Sequence, residues 1–149
     1  NENYSHKNYI GRKNMTQDMV IGYFQMGRLI DAMSFIGIII AIWLALRLAN
    51  MTGENPKSNI VAKLLSTGFG LCVVAGSWLS FTWANNTWIN AARNIQELGD
   101  NVTNPERAQA FIDYVGTTTN ATTPDPIGMI FLVIVLVMII TLIWVPRNN

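Results

Sequence analysis

Apolar residues gather in three runs, 29–46, 64–84 and 127–145, with polar stretches between them. Each run is about 18 to 21 residues long, the length an α-helix rising 1.5 Å per residue needs to cross a hydrocarbon core of about 30 Å. The pattern predicts an all-α integral membrane protein with three transmembrane helices. The third run carries no charge and is bounded by Pro126 and Pro146, which a helix accepts at its edges. The second run is also free of charge. The first holds Asp31 near its start, with Arg28 at i−3 as the natural partner.

The polar stretches divide the chain further. Residues 50–60 contain Gly53 and Asn55-Pro56, which break helices, so 28–84 is expected to fold as a tight transmembrane hairpin. Residues 85–125 form an extramembrane loop. In it Thr103-Asn104-Pro105-Glu106 reads as a capping box, followed by Ala108, Phe111, Ile112 and Val115 at helical spacing and Gly116 as a stop. That predicts a short amphipathic helix, followed by an extended Thr/Asn/Pro-rich linker over 117–126. Residues 1–27 are a polar amino-terminal segment in which Thr16 caps an amphipathic helix running through Met19, Val20, Tyr23 and Phe24 toward the first span. This segment has no secretory-signal pattern, and a start at Asn1 suits a processed amino terminus or a preceding leader. Residues 126–149 supply the third span and a short tail.

Composition narrows the function. Half the residues are hydrophobic and only 13% are charged, about half the charge of a soluble domain. A net charge of +1 without a basic cluster gives no footprint for a phosphate backbone, so no nucleic acid contact is expected. Cys72 is the sole cysteine and His6 the sole histidine, too few for a Cys/His metal site. No H-E-x-x-H, Gly-rich phosphate loop or G-x-S-x-G elbow occurs, and the chain reads as non-enzymatic with no cofactor beyond bound phospholipid. Sequons at Asn3, Asn14, Asn50, Asn85, Asn101 and Asn120 fall on both sides of the expected topology and read as Asn/Thr richness.

Two residue patterns are candidate contact surfaces. Helices in lipid approach closely where small residues line up. Gly37, Ala41 and Ala45 recur every four residues in the first span, as do Gly68, Cys72, Gly76 and Ser80 in the second, which predicts a close antiparallel contact. Arg47, Lys57 and Lys63 flank the short turn and are expected to meet lipid phosphate. Together with Arg147 they place the turn and the carboxyl terminus in the cytoplasm, although Lys7, Arg12 and Lys13 weigh the other way. Trp78, Trp83 and Trp88, and Trp43 and Trp144 at the other end, suit interfacial belts.

Two small-residue helices joined by the short basic turn Leu48-Ala49-Asn50-Met51-Thr52-Gly53-Glu54-Asn55-Pro56-Lys57 resemble small membrane subunits of type IV secretion and conjugation systems, including conjugative pilins. The resemblance covers residues 28–85 and is one of architecture. It implies a structural subunit of a membrane or protein-lipid assembly at a bacterial inner membrane, in contact with lipid and with copies of itself or other membrane subunits. Arg47, Lys57 and Lys63 inherit the phospholipid-facing role. The competing readings are a small channel or transport component using Asp31 and an accessory subunit of an energy-transducing complex.

Overall fold

The structure is a computed structural model that describes residues 16–146. Among these residues the order is α1 (Gln17–Glu54), α2 (Ile60–Leu98), a 3-10 turn (Gly99–Asn101), α3 (Pro105–Val115) and α4 (Pro126–Trp144). Three of the helices, α1, α2 and α4, are long and apolar enough to cross a membrane. His6, Lys7, Arg12, Lys13, Arg147 and the sequons at Asn3 and Asn14 lie outside the described residues.

Local chemistry sets the helix ends. Thr16 Oγ1 accepts the Met19 N–H at the start of α1, and Asn59 Oδ1 accepts that of Ala62 at the start of α2. The expected break at residue 50 is displaced: α1 stays helical to Glu54, so Gly53 lies inside its last turn. The break is confined to residues 55–59, where Asn55 Oδ1 accepts the Lys57 N–H at 2.9 Å. The capping box is also corrected by one residue. Pro105 takes the first helical position of α3, which makes Asn104 the cap, its side chain accepting from Arg107 N at 3.0 Å. Gly116, at φ 74°, closes α3 in the left-handed conformation that glycine adopts without a Cβ penalty. Asp125 caps α4, accepting from Gly128 N at 2.6 Å, with Pro126 next.

The chain forms two compact units. One, the bundle unit, comprises Ile30–Asn85 and residues 122–146. In it α4 buries Leu132, Val135, Ile139 and Ile143, a stripe along one helix face. Val135, Ile139 and Ile143 form a core with Ile42, Ala45 and Ala49 of α1, and Val73 and Val74 of α2 pack against it. The other, the lobe unit, comprises residues 16–29 and Asn86–Ala121. Its core joins Val20, Ile95, Leu98 and Ala108, with Val102, Phe111 and Ile112 packed around them.

Candidate functional site

The close contacts of the bundle unit use different small residues from those expected. A Cβ at Gly37, Gly68 or Gly76 would meet nothing within 4 Å, and Cys72 is exposed. A Cβ at Gly70, by contrast, would stand 2.7 Å from Ile139 Cγ2, and one at Gly53 would overlap the carbonyl oxygen of Leu142. The packed face of α2 therefore carries Ser66, Gly70 and Ser77, all buried. Gly68 and Cys72 are two residues out of phase with it, roughly 200° around the helix, and Gly76, one residue before Ser77, is about 100° away from it. Of the expected first-span stripe, Ala45 enters the core and Ala41 is half-buried, while the pattern that seats α4 continues as Ala45, Ala49 and Gly53. Ser80 is half-buried. Within this chain the expected contact through Gly37, Gly68 and Gly76 is thus replaced by seats for α4, because α4 supplies the large aliphatic side chains that small residues accommodate. Four-residue spacing running on to Ala49 and Gly53 is the signal that marks them.

The three cations hold distinct positions. Lys57 is exposed in the turn. Lys63 Nζ lies 5.5 Å from the centre of the Trp144 ring, and Trp144 Nε1 donates to Thr67 Oγ1 at 3.1 Å. That pairing joins the first turns of α2 to the last residue of α4. The Arg47 guanidinium lies 5.7 Å from the centre of the Trp43 ring, one turn earlier on α1, and both side chains are exposed. Cations stacked on indoles, each pair with an apolar body and a polar tip, suit the boundary between lipid and water. Asp31 is half-buried and outside the bundle core.

Trp88 is the centre of an aromatic cluster. It lies in the lobe unit, stacked on Phe111 at 6.0 Å, edge-on to Phe24 at 4.9 Å and beside Tyr114 at 5.8 Å, with the Arg28 guanidinium 5.2 Å from its ring centre. Gly27 leaves room for Thr87 beside this cluster. The linker is tied down by side chains of α2. Asn86 exchanges two hydrogen bonds with the Ala121 backbone, and Arg93 donates twice to the Thr118 carbonyl and once to Asn120 Oδ1.

Among the described residues no group of three or more His, Cys, Asp or Glu is placed to hold a metal ion. No protein-family profile, curated protein or solved structure matches the chain.

Proposed function

We propose that this chain is a non-enzymatic subunit of a larger membrane assembly, its first two spans a hairpin and its turn and carboxyl terminus on the cytoplasmic side. One observation carries the reading. The core of the bundle unit is an aliphatic seam of Ile42, Ala45, Ala49, Val135, Ile139 and Ile143, and the buried polar side chains of the unit are the hydroxyls Ser66, Ser77 and Thr82, whereas a path that leads an ion across a membrane needs a continuous polar lining. That favours contact over conduction, and so sets Asp31-dependent transport behind a structural role. Lys57 and Lys63 then contact anionic headgroups at the membrane surface. A narrower place in a type IV secretion or conjugation system rests on the resemblance of residues 28–85 alone.

The test is purification in mild detergent with mass measurement of the particle and identification of co-eluting chains, alongside ion flux in liposomes for the native protein and Asp31→Asn. The expected result is a particle larger than one chain and no flux that depends on Asp31. A monodisperse single chain, or a flux abolished by Asp31→Asn, overturns the reading. At the surface, each basic residue near anionic lipid is worth about 1 kcal/mol at low salt. Lys57→Gln with Lys63→Gln should therefore weaken recruitment of anionic lipid by roughly 30-fold at low ionic strength and much less once the Debye length shrinks. Equal lipid recruitment by the double variant and the native chain leaves these lysines without that role.

A further inference from the structure

Four Asn-x-Thr triplets lie among the described residues, at Asn50, Asn85, Asn101 and Asn120, and the backbone presents them differently. A sugar transferase has to reach the asparagine amide and the threonine hydroxyl two residues on at once, so both must stand on one side of the chain. An α-helix turns by about 200° over two residues and sends such a pair to opposite sides, whereas an extended backbone brings residues i and i+2 to the same side. Asn50 and Thr52 lie inside α1, Asn85 and Thr87 inside α2, and both asparagines are half-buried. Asn120 is exposed, but its Oδ1 accepts from Arg93, and Ala121, the middle residue of its triplet, is held by Asn86 at both its N–H and its carbonyl.

Asn101 is built otherwise. It ends the 3-10 turn, and the chain passes at once into extended backbone at Val102, with φ −80° and ψ 129°. Val102 packs against the lobe core, while Asn101 before it and Thr103 after it are exposed. The Thr103 N–H donates to Gln17 Oε1 at 2.6 Å, which fixes the backbone, and the side chains of Asn101 and Thr103 hold no hydrogen bond to another described residue. The triplet also stands clear of the apolar runs: α2 continues 14 residues past the end of the second run at 84, a rise of about 21 Å, and the third run begins only at 127. We propose that Asn101 is the acceptor of an asparagine-linked oligosaccharide, transferred from a polyprenyl pyrophosphate carrier on the non-cytoplasmic side of the membrane. In that transfer the Asn101 Nδ2 attacks the anomeric carbon of the first sugar. The nitrogen–carbon bond forms, the bond from that carbon to the pyrophosphate oxygen breaks, the polyprenyl pyrophosphate leaves with the electron pair, and one amide proton passes to a base of the transferase. The Thr103 hydroxyl is the group by which the triplet is recognised. A glycan on Asn120 would displace the Arg93 contact, whereas one on Asn101 displaces nothing, so the fold carries it whether it is attached to the nascent or the finished chain. The inference rests on the membrane-subunit reading for its orientation, with the turn cytoplasmic and the lobe unit on the other side, but not on the identity of any partner chain.

The experiment translates the full chain in the presence of rough microsomes, which supply a transferase and its dolichyl pyrophosphate oligosaccharide, and reads gel mobility before and after digestion with a peptide N-glycosidase. The native chain should carry one glycan. Asn101→Gln and Thr103→Ala should each abolish it, Thr103→Ser, which keeps the hydroxyl, should retain it, and Asn85→Gln and Asn120→Gln should leave it in place. The Thr103 pair decides the matter where Asn101→Gln fails to insert, because alanine and serine differ there by the hydroxyl alone. A glycan that survives Asn101→Gln overturns the site. So does a native chain without one, and protease added outside the microsomes then tells the two causes apart: a shielded lobe unit leaves the orientation standing, and a digested one reverses it. A glycan lost on Asn50→Gln instead places the turn inside the microsome and overturns orientation and site together. Failure of the assembly reading looks different: a single chain in detergent that still carries its glycan on Asn101.

Discussion

The two units are built from the same two long helices, yet they hold together by different chemistry. In the bundle unit, close approach decides the packing: Gly53 and Gly70 admit α4, and aliphatic side chains fill the seam. Its hydroxyls mostly turn back on their own helix, Thr67, Ser77 and Thr82 each donating to the carbonyl four residues earlier. In the lobe unit, side chains reach far along the sequence. Gln17 accepts from Thr103 N, 86 positions away, and Arg93 and Asn86 clamp the 118–121 backbone. Burial of aromatic area supplies the rest, through Phe24, Trp88 and Phe111. Lipid offers no hydrophobic drive between helices, so shape fit and satisfied backbone groups must suffice, whereas a small aromatic core and polar clamps are effective against water.

This contrast is open to direct attack. The largest effect is expected for Trp88→Ala, which removes the hub of the aromatic cluster at a cost of about 3 kcal/mol, the low end for a tryptophan that is only partly buried. Hydrogen exchange should accelerate over 89–98 and 105–115 and stay unchanged over 132–143. Equal acceleration in both regions would show that the units share one cooperative core. Next comes Gly70→Leu, which drives a bulky side chain into Ile139 and should lower bundle stability by about 2 kcal/mol. Its control, Gly68→Leu, points into open space and should stay within about 0.5 kcal/mol of the native chain. Thermal stability in detergent separates the two substitutions, and a Gly68→Leu chain as unstable as Gly70→Leu would reverse the assignment of the packed face. A smaller loss is expected for Arg93→Ala, about 1.5 kcal/mol for hydrogen bonds to a charged donor. It should open residues 117–121 to protease while α4 remains protected.

Features that depend on the chain alone are legible in the sequence. The length and charge-free character of 127–145, with prolines at both edges, announce a membrane-length helix whatever surrounds it. Features that depend on which neighbour a face meets are not. On α2, Gly68, Cys72 and Gly76 repeat as regularly as Ser66 and Gly70, and spacing alone is silent on which of two opposite faces receives α4. The aromatic cluster around Trp88 escapes a sequence reading because its partners Phe24 and Phe111, 64 and 23 positions away, meet it only on folding.

The seating of α4 has a consequence in time. Gly70 and Ile139, which touch in the finished bundle, are made 69 residues apart. At 5 to 20 residues per second, α4 arrives about 3 to 14 seconds after its seat on α2 has been synthesised. Throughout that interval the groups that meet Gly53 and Gly70 in the finished bundle, on Leu142 and Ile139, have yet to be made. The core of the bundle is therefore completed last, when α4 brings Val135, Ile139 and Ile143 to Ile42, Ala45 and Ala49.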